Sequence, residues 1–265
     1  VQLGEALKAA RDRIGMAEAR LLLRHATGID HVAQQTHPER PLGAAQQAAF
    51  LALVERRASG EPVAYILGQR EFYGRPFQVS SAVLIPRPET EQLVDVAIAS
   101  MAARDGLRVL DLGTGSGVLA ITLALMLPGA EMVAVDASSA ALGIARGNAE
   151  RLGARVRWVE GHWFSGLAGE RFDLIVSNPP YIAARDQHLR EGDLRFEPAS
   201  ALTDGSDDGL ASLREIIGQA GAHLSSGGWL WLEHGFDQGE ACAALLAGAG
   251  FEAVQGHRDL AGHMR

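Results

Sequence analysis

Apolar residues recur every three or four positions at the start of the chain: Leu3, Leu7, Ala10 and Ile14, then Ala19, Leu22, Leu23 and Ala26. That spacing predicts helices with one buried stripe. Gly28 stops the second of them, and Pro38 and Pro41 mark a loop. Residues 46–59 resume the pattern with Phe50, Leu53 and Val54 on one face and Gly60 as C-cap. Residues 1–60 therefore read as a small helical bundle, either a stabilising cap or a docking module for a macromolecular substrate. The pattern then becomes extended over 61–88. Val63 to Leu67, Phe72-Tyr73 and Phe77-Gln78-Val79 are short runs, and Gly74 between the aromatic-bearing ones signals a hairpin that links two domains.

From residue 89 the chain is helical to 103, with Leu93, Val94, Ala97 and Met101 along one side, and then alternates. Strands are expected at 108–111, 131–136, 156–160, 172–176 and 229–233, and helices at 118–127, 140–152, 210–224 and 240–249, with a last extended run at 251–254. Strand–helix alternation of this kind means a parallel sheet with crossover helices, a doubly wound, Rossmann-like α/β domain over 89–265.

Composition narrows the function classes. The 265 residues are 47% hydrophobic, enough for a sizeable core, and carry a net charge of −8, which argues against non-specific nucleic-acid binding. A single cysteine, Cys242, allows no disulfide framework and favours a reducing, cytoplasmic home; it reads as a small buried apolar residue. No membrane-length apolar run or signal peptide is visible, although the start at Val1 leaves a removed leader or trimmed terminus open. The nine histidines show no paired ligand spacing, and His31 and His37 are expected in a solvated loop, so no metal is expected.

Two stretches carry candidate chemistry. Asp111-Leu112-Gly113-Thr114-Gly115-Ser116-Gly117 joins the first strand of the alternating region to its helix, where glycines let backbone approach a ligand at a helix N-terminus. Its G-x-G-x-G spacing and strand-ending Asp111 favour S-adenosylmethionine (AdoMet) over a dinucleotide. Asp136, ending the next strand, can accept from two ribose hydroxyls or cap the following helix. After the third strand, His162 and Trp163 precede Phe164; Trp163 is expected at the adenine edge and Phe164 in the core. The second stretch is Ser177-Asn178-Pro179-Pro180-Tyr181, at the end of a buried strand. Two prolines make a stiff corner without backbone donors, so the Asn178 side-chain oxygen and a backbone carbonyl form a fixed acceptor pair for a planar –NH2 group. A simple tight turn is the competing reading.

Four segments in this order extend the picture: Tyr65-Ile66-Leu67-Gly68 with Glu71-Phe72-Tyr73-Gly74, Leu84-Ile85-Pro86-Arg87-Pro88-Glu89-Thr90-Glu91, the loop from Asp111 to Gly117, and Ser177 to Tyr181. Glu197-Pro198, Gly227-Gly228, Glu233-His234-Gly235 and Arg258-Asp259-Leu260 continue it. The chain resembles the PrmC/HemK family, protein-(glutamine) methyltransferases acting on class 1 peptide chain release factors.

That resemblance implies a seven-stranded AdoMet-dependent methyltransferase domain behind a helical N-terminal domain and a hairpin linker. It implies methylation of the glutamine of a Gly-Gly-Gln tripeptide, with S-adenosyl-L-homocysteine as product and a cytoplasmic monomer as the working form. Asp111, Gly113, Thr114, Gly115, Ser116, Gly117, Asp136, His162, Trp163 and Asn178 would contact the cofactor. Asn178, Pro179, Pro180 and Tyr181 would hold the glutamine, with Asn178, Pro179 and Tyr181 catalytic and Tyr181 packed against the glutamine side chain. Family members commonly have Asp where this chain has His162, and they continue past position 265 through a final strand, so a shortened end is expected here. Two other readings stay open: an amino-methyltransferase for adenine in nucleic acid, which presents the same –NH2, and an AdoMet-binding scaffold without activity.

Overall fold

The computed structural model describes residues 1–101, 106–259 and 262–264. It divides into two compact units, Val1–Gln69 and Arg70–Arg265. In the first, α1 (Leu3–Ile14), α2 (Met16–Thr27), α3 (His31–Thr36), α4 (Ala44–Ala58) and α5 (Val63–Leu67) enclose a core of Leu3, Leu7, Leu22, Leu23, Phe50 and Ile66. Gly28 caps α2 in the left-handed conformation, as its position predicts. Ser59, not Gly60, caps α4. His31 opens α3 and so does not lie in a loop. Residues 63–67, expected extended, are helical because Pro62 starts the turn, Gly68 ends it at φ +70°, and Ile66 fills the core.

The hairpin comes next, as β1 (Gln69–Phe72) and β2 (Arg75–Gln78). Tyr73 and Gly74 between them both have positive φ, the geometry that matches a tight hairpin to strand twist. A short 3-10 turn, Pro88–Thr90, leads into α6 (Glu91–Met101); the expected extension through Ala102 and Ala103 lies outside the described residues.

Alternation then runs β3 (Arg108–Leu112), α7 (Val118–Met126), β4 (Glu131–Asp136), α8 (Ser139–Leu152), β5 (Arg157–Glu160), β6 (Phe172–Ser177), α9 (Ala199–Leu202), α10 (Ala211–His223), β7 (Leu224–Leu232) and α11 (Gly239–Gly248). All pairings in the larger sheet are parallel, in the order β5-β4-β3-β6-β7. The strands are apolar on both faces. Val109, Met132, Ala134, Leu174 and Val176 pack with residues of α6 and α7. Leu110, Leu112, Val133, Val135 and Ile175 pack with Ile216 and Ala220 of α10. Helices on both faces are what a parallel sheet requires. Cys242 is buried among Leu210, Leu213 and Ile217, and burial pushes its thiol up to about 11.

Five strands are present in this sheet among the described residues, against the seven that the resemblance implies. The run 251–254 does not join it: Ala253 takes φ +53°, which breaks an extended path. No helix of the described residues is long and apolar enough to cross a membrane.

Candidate active site

Strand order reverses at β3, with β4 and β5 on one side and β6 and β7 on the other. In open parallel sheets a crevice forms at such a point, outside the carboxyl ends of the strands. Here it is a cavity of about 610 Å³ whose wall includes Gly113, Thr114, Gly115, Ser116, Asp136, His162, Trp163, Asn178 and Pro180. Nine of the residues singled out from the sequence thus meet in one place. Asp111, Gly117, Pro179 and Tyr181 lie outside that wall.

The loop after β3 owes its shape to residues beneath it. Gly113 and Thr114 donate their N–H groups to the Val135 carbonyl at 2.9 and 3.0 Å. Asp111 is fully buried, and its Oδ2 accepts from the Thr114 hydroxyl at 2.6 Å and from the Ala120 N–H at 3.1 Å. It therefore holds the loop from below. Burial pushes its carboxyl up to about 7, against the two hydrogen bonds, and the charge of Asp136 adds to the rise. Gly117 caps α7 at φ +85°, and a Cβ there would lie 2.8 Å from Ile121 Cδ1 and 3.2 Å from Ala145 Cβ, so it too is a packing position.

Asp136 is fixed at both oxygens: Oδ2 accepts from the Gly115 N–H and Oδ1 from the Ser138 N–H, each at 2.8 Å. Ser138, not Asp136, caps α8, accepting from the Ala141 N–H. Trp163 sits at φ +47°, unusual for a side chain of its size, and lays its ring against the loop. A Cβ on Gly113 would come within 3.3 Å of that ring. His162 stands edge-on to Trp163, with Nδ1 3.5 Å from Glu215 Oε1, and Glu215 also lines the cavity. Phe164 is buried, as expected.

On the other side, Asn178 directly follows β6. Its Nδ2 donates to Thr90 Oγ1 at 3.1 Å; the Thr90 hydroxyl donates to Glu233 Oε2 at 2.7 Å; and the Tyr181 hydroxyl donates to Glu233 Oε1 at 3.1 Å. The Tyr181 ring packs against buried Leu210, Leu213 and Ile217. Its phenol therefore braces the corner through Glu233. Gln238 Nε2 donates to the Tyr181 carbonyl at 2.9 Å, and Gly209 packs so closely that a Cβ there would fall 2.2 Å from the same oxygen. Glu197, buried, accepts from the Ile85 N–H at 2.9 Å and pairs with Arg87, fixing the segment that precedes Thr90.

Thr90, Gly209, Glu233 and Gln238 escape sequence reasoning as parts of the site. Thr90 reads only as helix-start chemistry, and Gly209 falls in an acidic stretch that reads as solvated. The one available signal is that Thr90 and Glu233 lie in segments that carry the resemblance.

The residues present fit a nucleoside cofactor. The glycines let the backbone of the loop come close to a ligand, Asp136 presents a fixed carboxylate, and Trp163 and His162 line the cavity with aromatic rings. Among the described residues no group of three or more His, Cys, Asp or Glu is placed to hold a metal ion.

A parallel sheet with this cavity and a facing Asn-Pro-Pro-Tyr corner defines an AdoMet-dependent methyltransferase. Solved structures agree at the level of fold. A methyltransferase from Pyrococcus furiosus superposes with a TM-score of 0.55 at 20% identity, over 73% of this chain and 87% of that one. RsmC, a 16S rRNA methyltransferase of T. Thermophilus in complex with AdoMet and guanosine, gives 0.51 at 24% identity, over 71% and 46%.

Sequence comparison is more specific. The PrmC N-terminal domain model matches residues 2–68 and the methyltransferase small domain model residues 92–202. The release factor glutamine methyltransferase of Bordetella pertussis is 53% identical over 92% of this chain and 91% of its own length. That of Salmonella typhimurium is 46% identical over 99% and 95%. The chain belongs to the release factor glutamine methyltransferase family.

Proposed function

We propose that this protein methylates the side-chain amide nitrogen of the glutamine in the Gly-Gly-Gln tripeptide of class 1 peptide chain release factors. The observation that carries this reading is the Asn178 amide: its NH2 donates to Thr90 at the cavity wall, which leaves Oδ1 as the end that can accept from a substrate –NH2. The family match supports glutamine as the owner of that group.

An amide nitrogen is a poor nucleophile because its lone pair is delocalised into the carbonyl. Bound AdoMet supplies a methyl group on a positively charged sulfur. Asn178 Oδ1 and the Pro179 carbonyl each accept one amide hydrogen, which turns the nitrogen lone pair towards the methyl group and offsets positive charge growing on nitrogen. Pro179 and Pro180 supply no N–H that could compete for those acceptors. After transfer the nitrogen gives up one of its two hydrogens as a proton to water, so no strong base is required. Positioning and electrostatics do most of the catalysis.

At the cofactor end, Gly113, Thr114, Gly115 and Ser116 cradle AdoMet, Asp136 accepts from the ribose, and His162 and Trp163 border the adenine. Asp111 and Gly117 act through the loop's shape. S-adenosyl-L-homocysteine is the co-product. The helical unit Val1–Gln69 docks the release factor, and the enzyme works in the cytoplasm, where that substrate is made.

Incubation with labelled AdoMet and either release factor or nucleic acid tests the reading. Label on the factor supports it; label on nucleic acid, or on neither, overturns it. A form lacking residues 1–60, compared on whole factor and on a short Gly-Gly-Gln peptide, tests docking: activity should fall on the factor alone.

A further inference from the structure

We infer that Glu233 and Thr90 act together as positioning residues that set which way the Asn178 amide faces. This rests on the reading that Asn178 Oδ1 accepts from the substrate –NH2.

A side-chain amide has one accepting end and one donating end of nearly equal size, and a half-turn about its last bond exchanges them. With the wrong end forward, Asn178 would present its own –NH2 to the substrate's –NH2, donor against donor. Something must fix the orientation before substrate arrives. Buried hydrogen-bond polarity does so here. Glu233 is 4% exposed, and a carboxylate can only accept. Its Oε2 takes the hydroxyl hydrogen of Thr90, itself 2% exposed, at 2.7 Å. A hydroxyl has one hydrogen. Once that is committed to Glu233, Thr90 Oγ1 offers Asn178 only lone pairs, and Asn178 answers with Nδ2 at 3.1 Å. The carboxylate thus dictates, through one hydroxyl, that Oδ1 points the other way.

The fold holds both ends of this relay. Ser177, the last residue of β6, pairs in register with Leu232, the last of β7. Asn178 and Glu233 are the residues that directly follow the two strands, and the Glu233 N–H donates to the Ser177 carbonyl at 3.0 Å. The second carboxylate oxygen accepts from Tyr181, so one side chain anchors the far end of the corner and orients its near end.

The test compares Thr90→Val, which keeps the shape and loses the hydroxyl, with Thr90→Ser, which keeps the hydroxyl. It adds Glu233→Gln, whose amide can donate to Thr90 and reverse the relay. Steady-state kinetics on release factor, AdoMet affinity by calorimetry and melting temperature are read for each. Thr90→Val and Glu233→Gln should lower kcat roughly ten- to a hundred-fold, the size of a lost buried hydrogen bond, with AdoMet affinity near wild type and melting temperature lowered by only several degrees. Thr90→Ser should restore most of the rate. Wild-type kcat in Thr90→Val or Glu233→Gln would overturn the inference, as would a Thr90→Ser variant as slow as Thr90→Val. Should Thr90→Val not fold, Glu233→Gln decides.

Heteronuclear NMR of the free protein separates this inference from the function it rests on. Asn178 side-chain protons should be protected from exchange in the wild type and lose protection in Thr90→Val or Glu233→Gln. Unprotected protons in the wild type refute the relay whatever the activity. Protected protons in an enzyme that methylates no glutamine would leave the hydrogen-bond chain intact and refute the proposed function instead.

Discussion

Asn148 Nδ2 donates to the Ser116 carbonyl at 2.9 Å, tying helix α8 to the Gly-rich loop. The same nitrogen donates to the Gln78 carbonyl at 3.0 Å, and Oδ1 accepts from the Gln78 N–H at 2.7 Å and from Arg151. One fully buried side chain therefore joins the end of the hairpin to the wall of the cofactor cavity. Asn148→Ala leaves several buried backbone groups without partners, and about 2–4 kcal/mol of stability should be lost. Urea denaturation measures the loss, and calorimetry should find AdoMet bound more weakly. Unchanged affinity would mean that the loop keeps its shape without this tie.

Asp111 gives the protein a pH dependence of unusual sign for a carboxylate. Its ordinary value of 3.8 rises to about 7 in the fold, chiefly through burial. Between those values the folded state holds a proton that the unfolded chain has released. The contribution to stability is therefore fully present below about pH 4 and is lost as pH rises towards 7, with a slope of up to about 1.4 kcal/mol per pH unit. Asp111 Oδ1 is buried with no hydrogen-bond partner among the described residues, so ionisation finds no new compensation there. Asp111→Asn should flatten this window. Denaturation across pH 4–7 should show the stability of the wild type falling relative to the variant, and parallel curves would refute the shift.

Gly209 should be as sensitive as the corner from Asn178 to Tyr181 itself. A Cβ at this position would fall 2.2 Å from the Tyr181 carbonyl oxygen and 2.8 Å from its carbon, at φ +67°. Backbone must move to admit it. Gly209→Ala should slow methyl transfer by about tenfold or more and lower stability by about 1–3 kcal/mol, with AdoMet affinity largely kept. Gly205→Ala is the comparison. Its φ is +80°, yet no atom lies within 4 Å of the added carbon, so only the backbone penalty of about 1 kcal/mol applies. Equal rates for the two variants would show that the contact with Tyr181 does not matter.

Much of this protein can be read from residue pattern because its rules are local. The parallel sheet follows from apolar strand runs separated by helical ones. Asp136 and the Gly113–Gly117 turn are recognisable because a strand end and a glycine spacing are enough to place them. Residues 63–67 misled because Val63 and Ile66 favour extended structure, while Pro62, Gly68 and a buried Ile66 made them helical. Ala253 is a similar case: a single left-handed residue ends a run whose composition suits a strand. The supports of the corner are legible only in three dimensions. Thr90 and Glu233 are 143 positions apart, and their meeting depends on how two segments pass the end of β6. Tyr181 shows the converse, since its place in the motif is obvious while its hydroxyl turns away towards Glu233.

Tandem mass spectrometry of a release factor after reaction with AdoMet, using the wild type and Asn178→Ala, tests the central claim most directly. The account predicts a single methyl group on the side-chain nitrogen of the Gly-Gly-Gln glutamine with the wild type. With Asn178→Ala it predicts loss of most of the rate, while much of the AdoMet affinity remains. A methyl group on any other residue, or an Asn178→Ala enzyme that turns over like the wild type, would contradict it.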